Sequence, residues 1–270
     1  MASATVSALN VYPIKSCAGI SLSEATIEER GIRLDRRWML VDEDSRFISQ
    51  RSVPRMALIR VAIENEGLEV TAEGMEPLRI GFGEFERARK PVGIWSDTVE
   101  AAPVGAEASQ WFSTFLAVPC ELVFMPDESR RPLKPKYARG NSHTGFADGF
   151  PFLLISEASL ADLNRRLASP LPMNRFRPNI VVTGTEPYAE DGWEKFRINS
   201  ILFYVAKPCA RCAITTVDQA TGAKGKEPLT TLGTYRREGE NVLFGQNLVH
   251  EGMGKVKIGD RLDIVPRSSA

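Results

Sequence analysis

The sequence predicts a mixed α+β protein in which strands outnumber helices. The first hundred residues consist mainly of short β-prone runs separated by Gly, Pro and charged turns. A helical period appears only locally, in one stretch of each half. The chain has 270 residues and 43% hydrophobic content, which is enough for a substantial core in one large domain or two closely packed ones. We therefore expect an antiparallel barrel or sandwich in the first half.

In the first half, five runs predict strands and one stretch predicts a helix. The helix is expected at Ala106–Ala117, where Ala108, Trp111 and Phe115 belong to an apolar set with helical spacing. One buried face is sufficient to explain this aromatic stripe, so we interpret it as core. The predicted strands are Val6–Val11, Trp38–Val41, Ala57–Ile63, Leu68–Thr71 and Leu78–Ile80.

The second half begins after a segment that resembles a linker. Met125–Gly149 is rich in Pro, Arg, Lys and Gly, so we divide the chain into units 1–125 and 126–270 and expect functional residues in the crossing. The apolar run Phe152–Ile155 predicts a buried strand, and Ser156 is a suitable N-cap for a helix with three leucines on one face. The remaining predicted elements are strands at Asn179–Thr183, Ile201–Val205, Ala213–Val217, Phe244–Val249 and Leu262–Val265 and a short helix at Pro228–Arg236.

Charge and the N-terminal sequence argue against several classes of function. Lys plus Arg and Asp plus Glu number 34 each, so no overall field would attract the chain to nucleic acid or to an acidic membrane. The N-terminus has no signal-like pattern, and the longest apolar run is too short to span a bilayer. We expect a cytoplasmic protein with reduced cysteines, and nothing in the sequence requires more than a monomer.

Two cysteines at a spacing of three residues are the most informative chemical feature. Cys209 and Cys212 could form half of a zinc knuckle, a redox pair, or supply one thiolate to a soft metal. Zinc is disfavoured because neither Cys17 nor Cys120 belongs to a second knuckle. A redox pair is disfavoured because the β-branched residues after Cys212 predict a strand, whereas such pairs normally begin a helix.

Seven short motifs, in order, resemble the MOSC family of molybdenum cofactor sulfurase C-terminal-like proteins. Within that family the chain is most similar to mitochondrial amidoxime-reducing components and their bacterial homologues. The resemblance implies an N-terminal MOSC β-barrel module packed against a MOSC-domain β-barrel with a few helices. It also carries the family's association with pyridoxal phosphate binding. The motifs begin at Tyr12 (YPIKSC), Asp35 (DRRW), Ser156 (SEASL), Phe176 (FRPNI), Arg211 (RCAITTVD), Lys226 (KEPL) and Phe244 (FGQ).

The resemblance also implies a site for a molybdenum cofactor, molybdopterin carrying Mo. Cys212 is implied as the metal ligand, because a thiolate suits a soft metal centre. Arg211 would help to keep that sulfur ionised. Asp148 is implied as a proton relay, although Gly149 and Phe150 follow it where the family often has small hydroxyl residues. The residues implied to bind the cofactor, mainly its phosphate, are Lys15, Ser16, Arg36, Arg177, Asn179 and Arg211.

The implied activity is reduction of small N-hydroxylated compounds, such as amidoximes, hydroxylamines and N-hydroxylated bases. The alternative is a carrier that holds sulfur or the cofactor on a Cys212 persulfide or thiolate. For the enzyme, we expect an external electron donor, such as a ferredoxin, flavodoxin or cytochrome b5-like protein with its reductase. The four cysteines lack the spacing of a plant-type iron–sulfur cluster, and no glycine-rich nicotinamide fingerprint is present.

Overall fold

The computed structural model describes residues 4–139 and 142–266 and is rich in strands, as predicted. The helices of this part are α1 (Ala106–Leu116), α2 (Glu157–Arg166) and α3 (Leu229–Leu232), with 3-10 turns at Pro54–Leu58, Met173–Arg175, Ala189–Gly192 and Ala213–Thr216. The strands are β1 (Thr5–Val11), β2 (Ile20–Leu22), β3 (Glu24–Glu28), β4 (Gly31–Ile32), β5 (Trp38–Val41), β6 (Arg60–Ile63), β7 (Gly67–Thr71), β8 (Leu78–Gly81), β9 (Lys90–Ile94), β10 (Asp97–Pro103), β11 (Glu121–Phe124), β12 (Phe152–Ser156), β13 (Ile180–Thr183), β14 (Trp193–Ile198), β15 (Ile201–Ala210), β16 (Arg237–Glu238), β17 (Asn241–Glu251), β18 (Gly254–Lys257) and β19 (Asp263–Pro266).

A nine-stranded sheet forms the larger part of the molecule. Its main path runs β19-β14-β15-β17-β12-β13-β1-β2, and β16 pairs with β17. All pairs are antiparallel except β12 with β13, which α2 connects. A parallel pair needs such a crossover because both strands run in the same direction. Residues of β12 and β15 and the residues just before β13 line one cleft.

Strands β1 and β2 belong to the nine-stranded sheet, and β3 and β4 form a separate three-stranded sheet with β18 of the second half. Strand β1 pairs with β13, and β3 pairs with β18 near the C-terminal end. Apolar residues of β1, among them Val6, Leu9 and Val11, are buried in the core beneath this sheet. The YPIKSC motif therefore leaves the large sheet directly, while β5 to β11 form a four-stranded and a three-stranded sheet beside it.

Most predicted elements are confirmed, one is wrong, and two are shorter than predicted. The aromatic stripe of α1 is core, and the Ser156 hydroxyl accepts a hydrogen bond from Ser159 N at the start of α2. The Ala57–Ile63 strand is only half correct, since Pro54 starts a 3-10 turn and the strand begins at Arg60. The Ala213–Val217 strand is wrong, because these residues turn instead of pairing with a neighbouring strand. The last predicted helix is shorter, at Leu229–Leu232.

Candidate functional site

One cleft of about 480 Å³ between the two halves collects the predicted site residues. The predicted phosphate-binding cations enter it from three separate segments, which follow β1, precede β5 and precede β13. The cysteine pair enters at the end of β15. Between residues 125 and 149 the described part of the crossing forms no strand of its own and contributes several residues to the cleft lining. The predicted residues that line the cleft are Lys15, Ser16, Arg36, Asp148, Arg177, Asn179, Arg211 and Cys212.

Lys15 and Asp148 form an ion pair across the cleft. Lys15 Nζ lies 2.5 Å from Asp148 Oδ1 and donates a second hydrogen bond to Phe146 O at 2.7 Å. Burial lowers the pKa of Lys15, and Asp148 opposes this effect. Burial acts to raise the pKa of Asp148, but Lys15, the Trp95 indole and Arg36 together hold that pKa well below its usual range. Asp148 is therefore an anion at neutral pH.

Arg36 and Arg177 are held by the same tyrosine. Each guanidinium carbon lies 4.3 Å from the Tyr12 ring centroid, and the Tyr12 hydroxyl donates to Pro178 O at 3.1 Å. Arg36 also donates to Asn179 Oδ1 at 2.9 Å, and Arg177 donates to Cys17 O at 2.7 Å. Both arginines are thus oriented before any ligand binds.

The side-chain amide of Asn179 holds Arg36 in place and is itself fixed by further hydrogen bonds. Its Oδ1 also accepts from Leu153 N at 3.3 Å, and its Nδ2 donates to Asn10 O at 3.2 Å. The protein therefore uses Asn179 to position Arg36. The neighbouring Arg37 points elsewhere, because its Nε donates to Met125 O at 3.0 Å.

Several of these residues have a backbone conformation that side chains seldom adopt. Ser16, Arg36 and Arg177 have φ values of 68°, 48° and 57°, in the left-handed region that favours glycine. Such positions cost about 1 kcal/mol or more and are concentrated at functional sites. Three of the residues predicted to bind the cofactor share this strain, which supports a functional reason for their geometry.

Cys212 lies at the start of the short 3-10 turn Ala213–Thr216. Its carbonyl accepts hydrogen bonds from Thr215 N at 3.1 Å and from the Thr215 hydroxyl at 3.0 Å. The buried Arg175 supports the turn by donating to Thr215 O at 2.9 Å and to Asp218 Oδ2 at 3.2 Å. The Cys212 side chain is half-buried and lines the cleft, which leaves its thiol accessible to a ligand.

This turn removes one argument made from the sequence. A strand after Cys212 was the reason for disfavouring a redox pair, and that strand is absent from this position. Both cysteines are free thiols.

Arg211 contacts the other cysteine. Its Nη1 donates to Cys209 Sγ at 3.0 Å, and its Nη2 donates to Phe176 O at 2.7 Å. The expectation that Arg211 helps to keep the Cys212 sulfur ionised is therefore not supported by the hydrogen bonds. Pairing of β15 with β17 explains the orientation, since Arg211 N is tied to Val242 O at 2.7 Å and turns the side chain towards Phe176.

Sequence reasoning missed four features of the cleft wall. Arg131 is buried, pairs with Asp97 at 2.8 Å and donates to the carbonyl of Gly145 at 3.1 Å. The other features are the indole of Trp95, the hydroxyl of Thr144 and three exposed lysines. The Met125–Gly149 composition indicated a functional crossing, but no pattern in the sequence distinguished these side chains. The lysines at the mouth are Lys134, Lys136 and Lys207.

Two buried polar atoms in this wall have no hydrogen-bond partner in the described part of the chain. They are the Nε of Arg211 and the hydroxyl oxygen of Thr144. Buried polar groups without partners are costly, so a polar ligand in the cleft that reached these two atoms would gain binding free energy. A cofactor with an anionic phosphate, a polar ring system and a soft metal fits this set, because the cleft also offers fixed cations and the thiols of Cys209 and Cys212 in its lining.

Two further findings concern metal binding and membrane spanning in the described part of the chain. No group of three or more His, Cys, Asp and Glu side chains in residues 4–139 and 142–266 is arranged to hold a metal ion. None of the helices in that part of the chain has the length and apolarity needed to cross a membrane.

Comparison with known proteins gives the family. The MOSC N-terminal beta barrel domain matches residues 3–119, and the MOSC domain matches residues 141–263. Human mitochondrial amidoxime-reducing component 1 is 34% identical over 95% of this chain and 81% of its own length. Rice molybdenum cofactor sulfurase is 32% identical over 89% of this chain but only 32% of its own length. The Bacillus subtilis YuaD crystal structure has 11% identity and a TM-score of 0.44 over 98% of this chain and 97% of that one, which is too distant to add to the assignment.

The animal relatives are named as mitochondrial, so the cytoplasmic location expected from the sequence stays a prediction. The division into units 1–125 and 126–270 is likewise a prediction.

The two matched domains together span nearly the whole chain, in the order that the motifs predicted. With a long, nearly full-length match to an amidoxime-reducing component as well, the chain belongs to the MOSC family.

Proposed function

We propose that this protein is a molybdenum-cofactor-dependent reductase of N-hydroxylated compounds, with Cys212 as the thiolate ligand of molybdenum. The observation that carries the proposal is the convergence of Cys212 with Lys15, Arg36 and Arg177 in one cleft. The names of the relatives support the reaction class, since several are amidoxime-reducing components. Reduction of an N-hydroxyl group takes two electrons and two protons and yields the parent amine or amidine and water.

The chain supplies binding and orientation to this cofactor. Arg36 and Arg177, held on the Tyr12 ring, would bind its phosphate through charge-assisted hydrogen bonds, with Lys15 and the Ser16 hydroxyl beside them. Arg211 Nε and the Thr144 hydroxyl would find partners on its polar ring system. When bound, the molybdenum cofactor would supply the two-electron chemistry.

A proton source is available at Lys15. Asp148 is an anion at neutral pH, so it acts as an acceptor in its pair with Lys15. Burial makes the Lys15 ammonium more acidic than an ordinary lysine. We therefore place the transferable proton on Lys15 Nζ and assign Asp148 the task of holding that group towards the cleft.

Electrons would come from a separate carrier such as a ferredoxin, flavodoxin or cytochrome b5-like protein, kept reduced by its own reductase. The exposed Lys134, Lys136 and Lys207 at the mouth have no carboxylate partner among the described residues. Such a surface favours a small acidic carrier through a modest, transient interface. Turnover should therefore be negligible with NADH or NADPH alone and appear with an added carrier and reductase, or with reduced viologen. Efficient turnover with nicotinamide alone would contradict this part of the proposal.

Metal content and two matched cysteine variants test the proposal. Protein from a host that makes the cofactor should contain stoichiometric molybdenum and pterin and should reduce benzamidoxime. Cys212→Ser should lose this activity, because a hydroxyl is a harder and much less acidic ligand, whereas Cys209→Ser should keep most of it. Arg177→Ala should lose cofactor as well as turnover. Equal loss in both cysteine variants with cofactor retained would indicate a dithiol mechanism instead.

Protein from the same cofactor-producing host also distinguishes the reductase from the carrier alternative. A wild-type protein without molybdenum, from a host that loads a known molybdoenzyme alongside, would overturn the reductase proposal. Protein that contains the cofactor, fails to reduce any N-hydroxylated compound and transfers the cofactor to an empty molybdoenzyme would favour the carrier.

A further inference from the structure

The tryptophan at the tip of the β9–β10 hairpin differs from the other three tryptophans. Trp95 is 49% exposed, whereas Trp38, Trp111 and Trp193 are at most 9% exposed. Its indole lines the cleft beside Lys15 and Asp148. A large aromatic ring left open to a ligand cleft is a candidate binding surface, because burial of its free face would be favourable.

The backbone conformation of Trp95 indicates that a tryptophan occupies this position for a reason other than the stability of the fold. Ile94 pairs with Asp97, so Trp95 and Ser96 form a two-residue hairpin turn, and Trp95 has a φ of 57°. Glycine is favoured at such a position because it adopts positive φ without strain. The chain instead places its largest side chain there. Strain of this kind is concentrated at functional sites.

Neighbouring groups fix the ring in one orientation. The Arg51 guanidinium carbon lies 4.1 Å from the Trp95 ring centroid, and the Phe47 ring lies 5.3 Å away at 51°. Trp95 Nε1 donates to Asp148 Oδ1 at 3.2 Å. The N–H edge is therefore occupied and Arg51 covers part of the ring, while 49% of the residue remains exposed to a ligand. The Asp148 carboxylate balances the charge of Lys15, so Arg51 leaves a net positive charge beside the ring, which disfavours a cationic ligand.

We infer that Trp95 is the stacking surface for the substrate and selects uncharged N-hydroxylated compounds with a planar conjugated ring over aliphatic ones. The inference rests on the proposed function, because it specifies the substrate class of the same site. Stacking on the indole would bring a ring-borne N-hydroxyl group beside the Lys15–Asp148 pair. Aromatic pairs of this kind change affinity by about two- to tenfold.

Binding without reductant tests the inference separately from turnover. The affinities of the cofactor-loaded protein for benzamidoxime and acetamidoxime are measured by calorimetry with no electron donor. Trp95→Leu should weaken benzamidoxime binding by about three- to tenfold and change acetamidoxime binding less than about twofold. Trp95→Phe keeps a ring without the N–H donor and should keep benzamidoxime affinity within about twofold of wild type. Ile258→Ala, at an exposed apolar residue outside the cleft lining, is the matched control and should change neither affinity.

The outcomes distinguish the two proposals. Absence of benzamidoxime binding, unchanged affinity in a folded Trp95→Leu protein, or equal weakening of both ligands would overturn the stacking role. Binding that depends on Trp95 without reduction under any donor would retain the stacking role and reject the reductase. Reduction of benzamidoxime with unchanged kcat/KM in Trp95→Leu would retain the reductase and reject the stacking role.

Discussion

At the scale of single residues, the four cysteines differ in how deeply their thiols are buried. Cys17 is fully buried, and burial raises its pKa to about 12. Cys120 is half-buried, and burial raises the pKa of that thiol as well. Cys209 and Cys212 lie in the cleft lining. Because the thiolate is the reactive form, position in the fold decides which thiol can act.

The rate of alkylation at each cysteine should follow the exposure of its thiol. Treatment of the cofactor-free protein with iodoacetamide at pH 7 should label Cys209 and Cys212 first, Cys120 slowly and Cys17 only after unfolding. Mass spectrometry of the digested protein measures the label at each site. Labelling of Cys17 as fast as Cys212 in the folded protein would show that the YPIKSC segment opens readily and would contradict its buried placement.

The Lys15–Asp148 pair predicts a shift in the pH dependence of activity. Asp148 raises the pKa of Lys15 against the effect of burial, so Asp148→Asn should lower that pKa further. If protonated Lys15 donates the proton, activity falls as pH rises through its pKa. The alkaline limb of kcat/KM should therefore move to lower pH by about one unit in Asp148→Asn.

A chemical electron donor keeps this measurement independent of carrier docking. Asp127→Asn is a matched control, because Asp127 pairs with Arg37 at 2.7 Å and not with Lys15. That control should keep the wild-type alkaline limb. An unshifted limb in Asp148→Asn, with cofactor still bound, would exclude Lys15 as the proton source.

At the scale of elements, the turn that carries Cys212 is held mainly by Arg175. The buried guanidinium joins three points of the segment, at Thr215 O, Asp218 Oδ2 and, at 3.3 Å, Glu227 O. A short turn with four residues has little stability of its own. The position of the Cys212 thiol therefore depends on a side chain from the loop that precedes β13.

Removal of this support should weaken both stability and cofactor binding. Arg175→Met should lower the free energy of unfolding by about 2–3 kcal/mol, because buried carbonyl groups lose their donor. It should also reduce the molybdenum content. Arg165→Met is the matched control, since Arg165 is 65% exposed and its ion pair with Asp162 is worth at most about 0.5 kcal/mol. Urea unfolding and elemental analysis measure the two effects, and equal stability of the two variants would contradict the role of Arg175.

At the scale of the whole molecule, the two halves share one sheet. Strand β1 covers the edge of β13, and β3 pairs with β18, so the second half needs the first 28 residues to complete its core. A fragment comprising residues 126–270 should therefore fail to unfold cooperatively, because β13 and the apolar residues beneath it lose their cover. Co-expression with residues 1–125 should restore a cooperative thermal transition. A cooperative transition of the fragment alone would show that it is an independent domain.

Local sequence determined the element types and the motif residues. Helix α1, strand β5 and the Ser156 cap were predictable because periodicity and capping act over a few neighbouring residues. The motifs also predicted the family and a common set of site residues. These signals depend only on neighbouring residues, so the sequence alone is sufficient to predict the elements that they form.

Only the tertiary structure decided how these residues face one another. Pairing of β15 with β17 turned Arg211 towards Cys209, and the contacts of Arg175 converted a β-prone run into the turn after Cys212. The left-handed conformation of Arg36 and Arg177 and the open face of Trp95 also depend on partners far away in sequence. Propensity describes the average preference of a residue, whereas these features arise from long-range contacts that outweigh it by a few kcal/mol.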